Sequence, residues 1–185
     1  GIAISTSING YKTIVFDISK EYLTNAETII NKDLSKSFEK KKITEENKAA
    51  ALNNLKFTDE MNSLSECEFV IEAATEDMDL KKDIFVKLGN ICKKETILST
   101  NTSSLSITTI STFIKENPGR VIGMHFFNPA NIMKLVEVVK GDFTSEETVE
   151  LTTELSKKIN KVPVIAKDTP AFIVNRVARP FYGEA

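Results

Sequence analysis

The sequence predicts an α/β fold in which a doubly wound, mostly parallel sheet carries helices on both faces. Short runs rich in β-branched and aromatic residues alternate along the chain with longer runs of helical periodicity. Strand and helix repeated in this order are typical of a parallel sheet, because a helix supplies the crossover between neighbouring strands. Continuous apolar runs such as EFVIEAA and TILST favour strands that are buried on both faces.

The first part of the chain carries clear signals for where its elements start and stop. Asn9-Gly10 ends a first helix, and Ser19 and Thr44 are the predicted N-caps of two more. The predicted elements are a helix at 2–7, the strand TIVFD at 13–17, a helix over about 20–41, the helix ITEENKAAALNNL, and the strands LKF and EFVIEAA.

The second part continues the alternation. Ser145 is the predicted cap of a clear helix with lysines in its last turn. The predicted elements are the amphipathic helix DLKKDIFVKLGNIC, the strand TILST, the short helix SITTISTFI, the strands VIGMHF and KLVEVVK, the helix SEETVELTTELSKKI and the strand VPVIA. The best domain boundary is DTP at residues 168–170, because Pro170 interrupts the pattern before a new apolar helix.

Composition narrows the class of protein. The 185 residues hold 24 basic and 26 acidic side chains, and a net charge of −2 gives no broad attraction to nucleic acid or an acidic membrane. No apolar run approaches the roughly 20 residues that span a bilayer, and without a basic-then-apolar stretch at its start the sequence is not expected to be exported. Cys67 and Cys92 lie in apolar surroundings without metal-ligand spacing, which favours buried thiols and a reducing compartment such as the cytoplasm.

Both ends of the chain look cut. Residue 1 is Gly, and GIAISTSINGY begins as if inside a helix, while FIVNRVARPFYGEA stops without a cap or turn residue. We therefore expect these residues to be a segment of a longer protein.

Asp17 is the first candidate site residue. It ends a strand near the start of a doubly wound pattern, where an acid accepts hydrogen bonds from the adenine ribose hydroxyls of a dinucleotide. Such an acid would repel a 2′-phosphate, which favours NAD over NADP. The alternative is a helix-capping or loop acid, and the glycine fingerprint that would support the first interpretation is absent from this sequence.

The polar run STNTSSL at residues 99–105 is the second candidate. It follows a buried strand, and ligands bind beyond the carboxyl ends of strands in open α/β sheets. Asn101 and the hydroxyls could hydrogen-bond a carbonyl, a ribose or an amide. The alternative is a solvated loop with a helix cap at Ser103, Ser104 or Ser106.

His125 and Glu137 form the third candidate. His125 lies at the carboxyl end of a strand, and Glu137 lies inside the valine-rich strand KLVEVVK, where an unpaired carboxylate would be costly. A histidine within reach would partner it, giving a base whose ring is held by an acid. The alternatives are a structural histidine and an outward-facing Glu137. Asn128, in the turn after the histidine, and Asn175, after Pro170, could contact substrate or could only cap and pack.

These stretches together resemble the NAD-binding domain of the L-3-hydroxyacyl-CoA dehydrogenase family. The resemblance rests on STNTSSL, GMHFFNPANIMKLVEVV, KDTPAFIVNR and VIEAATEDMDLKKDIF, and it covers essentially the whole chain. GIA at residues 1–3 is similar to the tail of the family's GxGxxGxGIA loop. The resemblance implies a Rossmann-type fold that lacks its first strand and glycine loop, with a cofactor domain over 1–168 and the beginning of an all-α C-terminal domain over 169–185.

The resemblance also implies residue roles. His125 would be the general base, and Glu137 would hold and polarise it. Ser103, Asn175 and Asn128 would contact substrate. The implied NAD contacts are Asp17, Glu76, Lys81, Asn101 and Ser103, and Lys40 would meet the CoA phosphates unless EKKK is only a solvated helix end. A family serine that also contacts CoA aligns with Asp33 here, and that role is not carried over.

The implied activity is the NAD-dependent oxidation of L-3-hydroxyacyl-CoA to 3-oxoacyl-CoA and its reverse, an activity of fatty acid metabolism. The cofactor is NAD and the substrate an acyl-CoA, with no nucleic acid or membrane partner. The parent protein is expected to be a homodimer through the C-terminal domain, and the 185 residues alone are expected to be inactive. The alternative is a non-catalytic nucleotide-binding protein or a sugar-acid dehydrogenase on the same scaffold.

Overall fold

The computed structural model describes residues 1–183, and the chain divides into two compact units. The first unit consists of Gly1–Ser63, Asn128–Lys134 and Lys158–Asn160. The second consists of Leu64–Phe127, Leu135–Lys157 and the residues from Lys161 onward. Each unit is built around its own sheet.

The first unit holds a parallel pair of strands with helices around it. Its elements are α1 (Ile2–Ile8), β1 (Thr13–Phe16), α2 (Lys20–Glu39), α3 (Glu45–Asn53) and β2 (Leu55–Thr58). Strands β1 and β2 are parallel, in a register that runs from Thr13 opposite Leu55 to Phe16 opposite Thr58. Ile4, Ile30, Leu34 and Ala51 form the buried core between the helices.

The predicted helix caps in the first unit are confirmed. The Ser19 hydroxyl accepts the Tyr22 amide at the start of α2, and the Thr44 hydroxyl accepts the Asn47 amide at the start of α3. Helix α2 ends at Glu39, slightly before the predicted end. Lys41 has a left-handed φ of 53°, a conformation that an α-helix cannot continue.

The second unit holds a five-stranded sheet in the order β3-β4-β5-β6-β7. Its elements are β3 (Phe69–Glu72), α4 (Met78–Ile91), β4 (Ile97–Thr100), α5 (Ile107–Ser111), β5 (Val121–Phe126), β6 (Leu135–Lys140), α6 (Glu146–Lys158), β7 (Val162–Lys167) and α7 (Val174–Gly183). Short 3₁₀ turns, at Met61–Glu66 and Pro118–Arg120, were not predicted from the sequence.

Every neighbouring pair in this sheet is parallel except β5 and β6, which are antiparallel. Residues 127–134, which join them, are too few for the crossover that a parallel pair needs. The predicted α/β class with a mostly parallel sheet is therefore confirmed, and the antiparallel pair is an addition to it. The Ser145 cap of α6 is also confirmed, since its hydroxyl accepts the Thr148 amide.

Helix α5 packs closely on the sheet because Gly123 lies beneath it. A Cβ added at Gly123 would lie 2.7 Å from the Val139 Cβ and 2.9 Å from the Ile107 Cδ1. Any side chain there would separate α5 from β5 and β6. Ser106 is the N-cap of α5 and its hydroxyl accepts the Thr109 amide, which decides among the three cap positions considered from the sequence.

Asp168, at the end of β7, joins that strand to the start of α5. Its Oδ2 accepts the Ser106 hydroxyl and the Thr108 amide, each at 2.8 Å. The chain then passes through Ala171 and Phe172, both with positive φ, before α7 begins.

The two cysteines differ slightly in burial. Cys92 is buried as predicted, whereas Cys67 is only half-buried. Burial raises the pKa of both thiols, which disfavours the reactive thiolate at neutral pH. Among residues 1–183, no helix combines the length and apolar character required to cross a lipid bilayer.

Candidate active site

His125 and Glu137 form a buried hydrogen-bonded pair. They lie directly opposite one another in the antiparallel register of β5 and β6, so their side chains project from the same face of the sheet. The His125 Nδ1 lies 2.7 Å from the Glu137 Oε2, and Glu137 is 0% exposed. The alternative of an outward-facing Glu137 is therefore wrong, and the contact between His125 and Glu137 that the sequence suggested is present.

The carboxylate decides which ring nitrogen can act as a base. A carboxylate only accepts hydrogen bonds, so Nδ1 of His125 carries the proton and donates it to Glu137. In the neutral ring the other nitrogen, Nε2, then holds the basic lone pair. The rings of Phe127 and Phe172 flank the imidazole, with centroids 4.6 Å and 6.1 Å from its own. This apolar packing, together with the buried carboxylate, fixes the ring.

The other oxygen of Glu137 contacts the beginning of α7. Its Oε1 accepts the backbone amide of Ile173 at 3.0 Å and that of Val174 at 2.8 Å. This contact was not predictable from residue types, because every residue except proline carries a backbone N–H.

The polar run after β4 is ordered by Glu76. The Glu76 Oε1 accepts the Thr102 hydroxyl at 2.6 Å and the backbone amides of Ser103 and Ser104 at 2.9 Å and 3.2 Å. The Ser103 and Ser104 hydroxyls also donate to this oxygen, at 3.3 Å and 3.1 Å. Burial opposes ionisation, but these hydrogen bonds and the charge of Lys81 outweigh it, so the pKa of Glu76 lies below its ordinary value.

Asn101 and Asn175 connect this loop to the base. The Asn101 Oδ1 accepts the Phe126 amide at 2.8 Å, immediately after His125. The Asn175 Nδ2 donates to the Ser103 carbonyl at 3.5 Å, one residue after the Val174 amide that contacts Glu137. The structure thus brings together His125, Glu137, Asn101, Ser103 and Asn175 within the second unit.

Lys81 lies in an environment that the sequence did not predict. It is 1% exposed, and its ammonium lies 2.8 Å from both carboxylate oxygens of Glu72. Glu72 also accepts the Thr100 hydroxyl and the Ala74 amide, while Glu76 lies 3.9 Å from the same ammonium. The prediction that Lys81 contacts NAD stays a prediction. In this structure the ammonium contacts Glu72, Glu76 and the Ala74 carbonyl.

Glu72 is the site residue that sequence reasoning missed. One signal was available, because Lys81, Phe85 and Leu88 share the buried face of α4. A lysine on an apolar helix face requires a buried partner, and Glu72, the buried last residue of β3, is that partner.

The remaining predicted residues belong to the first unit. Asp17 follows β1, is half-buried, and its Oδ1 accepts the Ser19 amide at 2.8 Å, so it forms the local turn that was its alternative interpretation. Lys40 is exposed at the C-cap of α2. Asn128 is exposed and precedes Pro129 through a cis peptide bond. The geometry of Asp17, Lys40 and Asn128 does not by itself indicate a ligand contact.

The second unit therefore contains an α/β sheet with a buried histidine, a carboxylate hydrogen-bonded to it and a polar loop beyond a strand end. In the part of the chain described here, no three His, Cys, Asp or Glu side chains come together as a metal site would require. This arrangement suits general acid–base chemistry on a bound organic substrate.

Comparison with known families gives the class a name. The family described as 3-hydroxyacyl-CoA dehydrogenase, NAD binding domain, matches residues 1–169, and the chain belongs to this family. The family and the Rossmann-type fold that the sequence motifs indicated are thereby confirmed. NAD binding is part of the family's description, which confirms NAD as the predicted cofactor.

Several longer proteins are similar to the chain. It is 46% identical over 185 residues to the 3-hydroxyadipyl-CoA dehydrogenase of Escherichia coli K12, covering 100% of the chain and 39% of that relative. It is 48% identical over 157 residues to the 3-hydroxybutyryl-CoA dehydrogenase of Clostridioides difficile, covering 85% of the chain and 56% of that relative. The chain thus spans about two fifths to just over half of the length of these proteins.

Solved structures agree with the sequence matches. The crystal structure of 3-hydroxybutyryl-CoA dehydrogenase from Escherichia coli K12 superposes with a TM-score of 0.96 at 45% identity, covering 99% of this chain and 39% of that one. The (S)-3-hydroxybutyryl-CoA dehydrogenase of Ralstonia eutropha also superposes with a TM-score of 0.96. Its identity is 37%, and the match covers 99% of this chain and 64% of that one.

Proposed function

We propose that the protein oxidises L-3-hydroxyacyl-CoA to 3-oxoacyl-CoA with NAD, and catalyses the reverse reduction. The observation that carries the proposal is the buried pair of His125 and Glu137, 2.7 Å apart, in a chain that belongs to an NAD-binding dehydrogenase family. A base held by a carboxylate at the carboxyl end of a strand is what proton removal from a substrate hydroxyl requires.

The proton transfer follows from the tautomer of His125. In the oxidation, the 3-hydroxyl proton moves to Nε2 as the C3–H bond breaks and the carbonyl forms. Bound NAD supplies the acceptor for the hydride that leaves carbon 3. The Glu137 carboxylate stabilises the imidazolium that results, because its Oε2 already accepts the Nδ1 proton. In the reduction, Nε2 returns the proton to the forming hydroxyl.

Residues in each unit suit the cofactor. In the first unit, the Asp17 carboxylate, half-buried after β1, is the type of acceptor that a ribose hydroxyl requires, and its charge disfavours a 2′-phosphate. In the second unit, Glu76 keeps a side chain that is 38% exposed, so that it can meet the cofactor together with Asn101 and Ser103. Lys81 is assigned to the same group, and its contact with both Glu72 and Glu76 supports a role that reaches NAD through Glu76.

The substrate contacts are assigned from the family resemblance. Ser103 and Asn175 are linked through the Ser103 carbonyl, and we assign their side chains to the substrate oxygen or the thioester near His125. Exposed Asn128 is assigned to the acyl pocket, and exposed Lys40 to the CoA phosphates.

The proposed function includes the setting of the chain. We propose that these residues act within a longer protein, with a cofactor domain over 1–168 and a helical domain that begins at 169, and that the whole forms a homodimer through that helical domain. The support is the length of similar proteins, since the chain covers 39%, 56% and 66% of three of them. No nucleic acid or membrane partner is proposed, and the net charge of −2 supports this. The cysteines, free in this structure, support a cytoplasmic location.

The test of this function is the variant His125→Gln in the full-length protein. We expect its turnover of acetoacetyl-CoA with NADH to fall by roughly 10²-fold or more, because general base catalysis contributes about that much. The affinity for NADH, measured by fluorescence titration, should stay within about twofold, because the cofactor contacts assigned above do not include the imidazole.

Lys157→Gln, an exposed change on α6 of the same unit, is the matched control and should keep full turnover. Near-normal turnover in His125→Gln would remove His125 from the chemistry. Turnover of a sugar acid in place of acetoacetyl-CoA by the unaltered protein would favour the sugar-acid dehydrogenase alternative.

A further inference from the structure

The Glu137 carboxylate has two sets of partners, and the proton transfer described above uses only one. Oε2 holds the His125 ring, whereas Oε1 is held by the Ile173 and Val174 amides at 3.0 Å and 2.8 Å. With Glu137 0% exposed, these protein groups take the place of the water that would otherwise solvate the charge. The orientation of the carboxylate is thus set from both ends.

The backbone that presents these amides adopts an uncommon conformation. Residues 171–174, which we call the α7 turn, begin with Ala171 at φ 62° and Phe172 at φ 49°. Left-handed backbone is unfavourable for residues other than glycine, above all for a bulky aromatic residue. Such conformations persist where the surrounding structure needs them, and they are concentrated at functional sites. Phe172 is also 2% exposed and packs its ring near that of His125.

The α7 turn ends at the N terminus of a helix. The Ile173 carbonyl accepts the Val177 amide at 3.0 Å, so Ile173 is the N-cap and Val174 the first helical residue of α7. Amides at this position have no partner within their own helix, and they lie at the positive end of its dipole. Successive amides that point into one concavity form a binding site for an anion, and the anion here is the Glu137 side chain.

We propose that the α7 turn is a positioning element for the base of the proposed reaction, acting on His125 through Glu137. By holding Oε1, the turn fixes the plane of the carboxylate, and Oε2 then fixes the direction in which Nε2 faces the substrate. Asn175 follows directly and donates to the Ser103 carbonyl, so the same turn also sets the polar loop. The base and its substrate contacts therefore depend on how the first residues of α7 are seated.

The variant Val174→Pro tests the proposal, which rests on the proposed function. Proline is well tolerated at the first position of a helix, yet it lacks the N–H that contacts Glu137. Val174→Ala is the matched control, because it shortens the side chain but keeps the amide. In the full-length protein we expect kcat of Val174→Pro to fall at least about tenfold below that of Val174→Ala, with KM for acetoacetyl-CoA changed less than about threefold.

A second readout does not depend on activity. The Nδ1–H proton resonance of His125, assigned by its loss in His125→Gln, reports the hydrogen bond to Glu137 directly. We expect Val174→Pro to shift this resonance relative to Val174→Ala. Equal kcat values for the two variants, together with an unmoved resonance, would overturn the proposal. If the unaltered protein shows no turnover, the proposed function fails, and the resonance alone still decides the role of the turn.

Ala171 provides an independent pair of variants should Val174→Pro not fold. Glycine accepts the φ of 62° at this position, whereas β-branched valine opposes it. We expect Ala171→Val to have a kcat at least about fivefold below that of Ala171→Gly and to shift the His125 resonance, because only valine displaces the turn. The same kcat and the same resonance in both variants would contradict the proposed positioning.

Discussion

The proton on His125 is placed by the residue opposite it in the next strand. The antiparallel register of β5 and β6 sets His125 against Glu137, and the carboxylate can only accept, so the basic lone pair is left on Nε2. Val138 and Met124, the next pair in the register, are both fully buried on the other face. A shift of one residue in the register would place His125 and Glu137 on opposite faces of the sheet, so the site depends on this pairing.

At this scale we predict the effect of Glu137→Gln. The glutamine amide can donate to Nδ1, which would move the ring proton to Nε2 and remove the base, while its oxygen can still accept the Ile173 and Val174 amides. We expect kcat to fall by about 10²- to 10⁴-fold with the α7 turn intact. Steady-state kinetics with acetoacetyl-CoA measure this fall, and a kcat within tenfold of the unaltered protein would contradict it.

Residue patterns predicted the pairing of His125 with Glu137, but they did not predict all the groups that hold Glu137 in place. A glutamate in KLVEVVK and a single histidine at a strand end are visible in the sequence because each breaks an apolar pattern. The amides of Ile173 and Val174 are not visible, since every residue except proline has an N–H. The pair of Glu72 and Lys81 is an intermediate case. Each charged residue interrupts an apolar pattern in the sequence, but their contact depends on how α4 packs against β3.

The elements around the site were predictable where their signals are local. The caps Ser19, Thr44 and Ser145 each act within three residues, and each is confirmed. The antiparallel pairing of β5 with β6 depended on the length of the loop between them, and the alternation of strands and helices alone did not give it. Local chemistry thus fixes where elements begin, while strand direction needs the connections as well.

The loop after β4 leads to a prediction about pH at the scale of elements. Hydrogen bonds from residues 102–104 lower the pKa of Glu76, so its charged form is favoured by folding. Stability from such a group is fully present above its unfolded pKa, about 4.3, and is lost as pH falls through the lower folded value. The loss of stability in Glu76→Gln should therefore be clear at pH 7 and should shrink below about pH 4.

Urea unfolding of the two proteins at both pH values measures this difference. Because the Glu76 side chain is 38% exposed, we expect a destabilisation below about 1 kcal/mol at pH 7. Glu150→Gln, an exposed carboxylate on α6, serves as the control and should leave stability almost unchanged at both values. An effect of Glu76→Gln that is equally large in acid would show that the loop is held by something other than the ionised carboxylate.

For the whole molecule, the assignments divide between the two compact units. The second unit contains the pair of His125 and Glu137, the polar loop at residues 99–105 and the α7 turn. Asp17, Lys40 and Asn128 belong to the first unit. The chain covers 39% of one relative and 56% of another, so neither unit nor their sum corresponds to the length of those enzymes. Family membership identifies the cofactor, and the buried pair of His125 and Glu137 supports the proposed reaction.

This view predicts how the 185 residues behave alone. We expect them to turn over 3-hydroxybutyryl-CoA at least roughly 10²-fold more slowly than the full-length protein, because a loss of positioning of about 1 Å already costs that much. The pair of His125 and Glu137 should still form, since its partners all lie within the second unit. The Nδ1–H resonance of the single histidine reports that pair without further assignment, and NADH absorbance reports turnover. A chain that shows the resonance and also oxidises the substrate within tenfold of the full-length rate would refute the expectation. The resonance without turnover would show that the base is built locally, while catalysis needs residues that this chain does not supply.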